Sequence, residues 1–291
     1  MSMYSIYCDM KLINKRIKMP FIEFNNKDKK LKIYYEIYNE EKPDTVVLVH
    51  PIGGNIEIWK NEIALISKKN LRVIAYELRG HNRSNMGIAN SFTISNLVDD
   101  LKILLDSLDI KKCTLIGHSI GGSIASLYAK QYPQKVEAII FINASSVRIP
   151  DKDLEKHFTT RKIALTQGMN ALAEWARHET LESEKAFKDD DNWNQFKQIF
   201  TKTSVEGFVA ATNSLHSMPE DVTDALRDVN YKVYGIVGEG DEVFMRLMHK
   251  MKEEIPRFEL RIIKDSDHWV IVEHPEEFDK AIIEFLDIIY P

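Results

Sequence analysis

The stretch Cys113-Thr114-Leu115-Ile116-Gly117-His118-Ser119-Ile120-Gly121-Gly122 decides how this chain is read. Its first five residues form a short apolar run suited to a buried strand, and residues 120–131 carry a helical period that Pro133 stops. Between the two, Gly117-His118-Ser119-Ile120-Gly121 matches G-x-S-x-G. In that setting a tight strand-to-helix turn lifts a serine hydroxyl above a sheet, and the flanking glycines leave room for the crowded backbone. Random placement of the 12 glycines and the serines would give roughly 0.03 such matches, before the strand and helix are required as well. A nucleophile is therefore expected at Ser119.

Outward from this turn, unalternating apolar runs recur at 45–50, 72–77, 138–143, 232–237 and 258–263, as suits strands covered on both faces. Helical periods at 94–108, 120–131 and 276–289 fit crossover helices over a parallel sheet. Residues 21–38 alternate around a polar turn and predict an antiparallel hairpin. The fold class is α/β. The strand-helix rhythm breaks over residues 145–229, where Trp175, Trp193, Phe196, Phe200 and Phe208 recur at roughly helical spacing; this segment is read as a helical insertion. The first 18 residues precede a second Met-Pro at Met19 and are read either as an appendage or as residues before the true start.

Bulk properties narrow the function classes. A formal net charge of −5 disfavours a chain built to hold nucleic acid or anionic lipid. No apolar run is long enough to span a membrane, and lysines and Arg16 interrupt the amino end before it reaches the length of a signal sequence. Two cysteines, Cys8 and Cys113, cannot make a disulfide framework or a four-ligand zinc cluster, so a reducing, cytoplasmic location is expected. There is no H-E-x-x-H, no P-loop, and no complete G-x-G-x-x-G after Gly238; neither metal nor cofactor is implied.

A serine hydroxyl needs a base, and usually an acid that orients the base. Of nine histidines, His268 follows the last strand run and precedes the final helix, which favours it over His50, His81, His118 and His249, over His157, His178 and His216 of the insertion, and over His274 beside Pro275 at that helix's start. The order Ser, acid, His places the acid after the insertion. There YGIVGEGDEVF ends a strand and offers Asp241, with Glu239 and Glu242 as competitors. Asp265 and Asp267 are read as solvating the histidine loop. Acyl transfer also needs donors for an oxyanion, and the backbone N–H groups of Ile120 and of Ile52, in His50-Pro51-Ile52-Gly53-Gly54, are the candidates.

With these residues in place, the chain resembles the α/β-hydrolase superfamily over nearly everything from Met19 to Tyr290, and most of all its capped esterases, enol-lactonases and carbon-carbon bond hydrolases. The likeness rests on HPIGG, ELRGHNRS, GHSIGG with SLYAKQYPQKV, VGEGD and DHWVIVEHPEEF. It implies a mostly parallel eight-stranded sheet flanked by helices, built from residues 19–144 and 230–291. It also implies a Ser119, Asp241, His268 triad and a helical cap, residues 145–229, after the sixth strand. Pro51, Glu77, Asn82 and Asp267 depart from the family's usual residues, as does the lack of proline after the acid; none of these removes a catalytic side chain. Serine at 119 argues against the members that use a carboxylate nucleophile. The expected function is hydrolysis of a small-molecule carboxylic ester, lactone or thioester. Carbon-carbon bond hydrolysis of a diketone, and a low-turnover ligand receptor on the same fold, are the alternatives. The sequence is silent on oligomeric state.

Overall fold

The computed structural model describes residues 20–26, 29–88, 91–182, 190–218 and 221–291. The segment read as an amino-terminal appendage lies outside them. Strands β1 (Phe21–Asn26) and β2 (Lys29–Tyr38) form the expected hairpin. They are followed by β3 (Thr45–Val49), β4 (Arg72–Tyr76), β5 (Cys113–His118), β6 (Val136–Ile142), β7 (Lys232–Gly238) and β8 (Phe258–Ile263). One eight-stranded sheet results, in the order β1-β2-β4-β3-β5-β6-β7-β8. Only the β1/β2 and β2/β4 pairings are antiparallel.

Alternation along the buried strands divides the core in two. Val47, Val49, Leu115, Ile139, Phe141, Val233 and Val237 face one side. They pack against α2 (Ile94–Ser107), α3 (Ile120–Gln131) and α7 (Glu242–Glu254). Val46, Leu48, Ile116, Ile140, Ile142, Tyr234 and Ile236 face the other, against α1 (Lys60–Lys68) and α8 (Pro275–Ile289). Helix α2 shows why these segments are helical. Thr93 caps it by accepting from the Asn96 N–H, and Ile94, Leu97, Val98, Leu101, Leu104 and Leu105 form the stripe it buries.

Between β6 and β7 come a one-turn helix (Asp151–Leu154), α4 (Lys156–Glu182, kinked at Gly168), α5 (Asp190–Phe200) and α6 (Val205–Ser214). Trp193, Phe196, Phe200 and Phe208 are buried with Leu172 and Ala173 in a cluster that reaches Ile52, Trp269 and Val272 of the sheet's loops. The aromatic stripe therefore binds these helices to each other and to the body. Trp175 is only half-buried at its edge. Among the described residues, no helix is long and apolar enough to cross a membrane.

Under the opposite face, Glu62 of α1 is buried and its carboxyl faces that of Asp279 on α8 within hydrogen-bond reach. Burial, and then the neighbouring Asp279 of α8, push its pKa well above the ordinary value; burial raises Asp279 to about 6. Because both folded values lie above the unfolded ones, the folded state holds extra protons and this pair lowers stability as pH rises through them. Glu62→Gln should therefore raise the melting temperature at pH 8 by a few degrees, roughly 1 kcal/mol, with a smaller gain at pH 4.5. Thermal melts at the two pH values check this; an equal gain at both would contradict it.

Candidate active site

Parallel strands deliver their carboxyl ends to one edge of the sheet, where ligands of open α/β folds bind. At the end of β5, Ser119 has φ 55° and ψ −119°, a left-handed conformation costly for a side-chain-bearing residue. The turn is held by the Ser119 N–H donating to the Ile142 carbonyl (2.9 Å) and the Gly122 N–H donating to the Ser119 carbonyl (2.9 Å). Helix α3 starts so close to β3 that a Cβ on Gly121 would lie 2.2 Å from the Val49 carbonyl oxygen. That contact explains the glycine the motif demands. Ser119 itself stays partly exposed.

Asp241 ends the loop after β7 and caps α7, accepting from the Phe244 N–H through Oδ1. Its Oδ2 accepts from His268 Nδ1 at 2.7 Å and from Asn143 Nδ2 at 2.8 Å. Burial pushes the carboxyl up, but the His268 ring, Asn143 and the Phe244 N–H outweigh it, and the pKa lies below the ordinary value. Asp241 is thus an ionised acceptor that fixes the proton on His268 Nδ1 and leaves the Nε2 lone pair free for another donor. The competing acids point elsewhere: Glu239 accepts from the Asp265 N–H at 3.4 Å, and Glu242 lies in the first turn of α7. Asp265 sits in a turn whose carbonyl takes the His274 Nε2 hydrogen, and Asp267 contributes its carbonyl to Asn143.

The His268 loop is held from below. His118, fully buried beside Ser119, donates from Nε2 to the His268 carbonyl at 2.8 Å, and burial followed by the His268 charge lowers its pKa to about 3. Glu273 accepts from Ser266 Oγ (2.8 Å) and the Asp267 N–H (2.6 Å). Among the described residues no hydrogen bond joins the Ser119 hydroxyl to His268. Such bonds commonly tighten only when substrate is bound.

The loop after β3 is braced by two further histidines. His50 accepts the Leu78 N–H at Nε2 (2.9 Å) and donates from Nδ1 to the Pro51 carbonyl (2.8 Å). His81 accepts the Gly53 N–H at Nε2 (3.3 Å) and donates to the Arg79 carbonyl (3.0 Å). Each ring must be neutral to accept, and burial keeps both well below the ordinary histidine value, His81 at about 4. Gly53 has φ +80° and carries Phe200 against its α-carbon, where a Cβ would meet the ring at 2.3 Å. Among the described residues the N–H groups of Ile52 and Ile120 donate to no protein acceptor, which leaves them open to an oxyanion.

A family model described as the alpha/beta hydrolase fold matches residues 44–275. The chain belongs to the α/β-hydrolase family. The hydrolase resembles a solved structure from work on the carboxylesterases of the ammonia-oxidizing thaumarchaeon Nitrososphaera gargenis. The two are 50% identical, with a TM-score of 0.86 over 92% of this chain and 98% of the other. The enol-lactonase of Burkholderia xenovorans LB400 shares the fold at 22% identity, with a TM-score of 0.74 over 88% of this chain and 97% of its own. By sequence, a RutD protein of Pantoea ananatis, provisionally named a carbamate hydrolase, is 23% identical over 87% of this chain and 93% of its own.

The sequence reading of this hydrolase passed over Asn143 and gave no role to His50, His81 or His118. The usable signal was positional, since His50, His118 and Asn143 each stand at or next to the carboxyl end of a strand in the sheet. Asp241→Asn should lower kcat about 10³-fold or more on whichever ester is turned over, because the wrong histidine tautomer is then favoured. Asn143→Ala should lower it about tenfold, the worth of one hydrogen bond to a charged group. Glu242→Gln should stay within about twofold of the parent. Steady-state kinetics on the three variants decides, and equal losses for Glu242→Gln and Asp241→Asn would overturn the assignment of the acid.

Proposed function

We propose that this chain is a serine hydrolase of carboxylic esters, including lactones or thioesters, that works through an acyl-enzyme on Ser119. The observation that carries the proposal is the 2.7 Å bond from His268 to an ionised Asp241, at the sheet edge where Ser119 stands on its left-handed turn. The 50% identity to a structure from a carboxylesterase study supports the same chemistry.

In this reading Ser119 Oγ attacks the carbonyl carbon as its proton passes to His268 Nε2. Asp241 stabilises the imidazolium that forms. The carbonyl oxygen becomes an oxyanion and takes the N–H hydrogens of Ile52 and Ile120, which donate to no other acceptor among the described residues, so no existing bond has to break. Collapse of the tetrahedral intermediate breaks the bond to the leaving alcohol, which receives the proton from His268. Water, deprotonated by the same ring, then attacks the acyl carbon, and the second collapse returns the proton to Ser119 and frees the acid.

Residues 145–229 serve as a cap over the site in this proposal. Phe200 seats on Gly53 of the oxyanion loop, and Phe196 meets Trp269, the residue after the catalytic histidine, edge to face at 4.4 Å. A fluorophosphonate probe should label Ser119 covalently, and Ser119→Ala should abolish labelling and ester turnover together, because an ordinary surface serine does not react with such a probe. Undiminished labelling of the alanine variant, read by mass spectrometry, would remove the proposal's nucleophile.

A further inference from the structure

Strand β8 ends the sheet order with no strand on its outer side, and Glu259, Arg261 and Ile262 along it are exposed. The Glu239 N–H donates to the Ile263 carbonyl at 2.9 Å, so residues 259, 261 and 263 turn their backbone groups toward β7. By the alternation of a strand, Phe258, Leu260 and Ile262 turn theirs outward. Phe258 spends its N–H on the Ile255 carbonyl at 3.0 Å. Among the described residues, no bond outside the sheet ladder takes the N–H of Leu260 or Ile262, or the carbonyl of any of the three.

Proteins guard such an edge with prolines, bulges or charges. Strand β8 has no proline and pairs with β7 without a shift of register, so Glu259 and Arg261 are its guard. Those two charges are self-complementary. When two copies pair antiparallel about a two-fold axis at Leu260, each step from the axis on one copy meets the opposite step on the other. Glu259 then faces Arg261 twice, in the non-hydrogen-bonded pairs where side chains stand closest. An axis at 259 or at 261 would instead set like charges against each other.

The surroundings of the strand agree with this register. Glu259 and Arg261 lie on the same face as Ile263, the face covered by α8, and Arg261 already donates to Glu284 of α8 at 2.6 Å. Ile288, 48% exposed, stands one turn beyond Glu284 on that helix. Ile262, 39% exposed on the opposite face, comes across from Phe258 of the other copy. Two of the five large apolar side chains exposed among the described residues thus flank this edge.

We propose that β8 is a homodimer interface, in which two copies of this chain pair their β8 strands antiparallel about Leu260 and continue the sheet from one copy into the other. The backbone supplies four hydrogen bonds: Leu260 N–H to the Leu260 carbonyl and Ile262 N–H to the Phe258 carbonyl, each made in both directions. The charge pairs fix the register, with Arg261 bridging Glu284 of its own copy and Glu259 of the other. This inference is independent of the serine-hydrolase reading.

Sedimentation velocity of the full chain over about a hundredfold range of concentration reads the assembly. Glu259→Arg leaves only cations at the two positions and Arg261→Glu only anions, so like charges meet and each variant alone should have a dissociation constant raised about a hundredfold or more. Mixed in equal amounts, the two variants should form a heterodimer, since every cross-strand pair is then opposite in sign. A parent that sediments as a monomer throughout overturns the proposal, as does a parent dimer that both reversals leave intact, or the failure of two folded variants to combine. Where a variant does not fold, deuterium exchange on the parent decides. The amides of Leu260 and Ile262 should be protected at high concentration and exchange faster on dilution, and equal exchange at both overturns the proposal.

Discussion

The structure turns on one close approach. Helix α3 begins against β3 with so little space that Gly121 has the Val49 carbonyl where its Cβ would stand, and Gly117 is pressed against the backbone of Gly121 and Gly122 in the same way. Only this compression lets the chain reverse from strand to helix within a residue, and it forces Ser119 to positive φ. The cost, of the order of 1–3 kcal/mol for such a backbone state, is met by the buried sheet on both sides of β5. What is gained is a hydroxyl that projects from the sheet beside the open first turn of α3, whose N–H groups have no helical acceptor.

Around that turn the protein uses buried histidines as struts. His50, His81 and His118 are fully buried, and burial holds each in the neutral form. A neutral imidazole has one donor and one acceptor on opposite sides, so it can tie a backbone N–H in one loop to a carbonyl in another. His50 and His81 do this between the loops after β3 and β4, and His118 supports the His268 backbone from the nucleophile's own strand. A lysine or glutamate in these places would carry a charge into a dry interior at far greater cost.

The segment between β6 and β7 is tied to the loops after β3 and β4. Lys202 reaches Glu57 at 2.6 Å, Asn55 donates to the Ile199 carbonyl at 3.3 Å, and Ser204 Oγ donates to the Gly80 carbonyl at 2.9 Å. Gly207 and Gly80 touch so closely that a Cβ on Gly207 would lie 2.1 Å from the Gly80 oxygen. Any shift of α5 and α6 is thereby coupled to the loop that carries Ile52.

By itself the sequence determined the sheet and singled out Ser119, Asp241 and His268 as candidates for the site. Strands buried on both faces must be continuous apolar runs, so their positions are written locally; β8 and α3 fall on their expected residues, and the other strands together with α2 and α8 shift by only a residue or two at their ends. Ser119 stood out as the candidate nucleophile because a strained turn restricts which residues can flank it. Asp241 and His268, which the structure brings into contact, were singled out because each follows a strand in the order the proposed chemistry requires. Tertiary structure alone decided which acid meets His268, since Glu239, Asp241 and Glu242 are neighbours in sequence and differ only in the direction their side chains leave the loop. It decided as well that Asn143 completes the carboxylate's shell and that three histidines act as struts. Contacts of this kind join residues tens to more than a hundred positions apart, and their energy depends on burial and angle, which no local pattern of residues encodes.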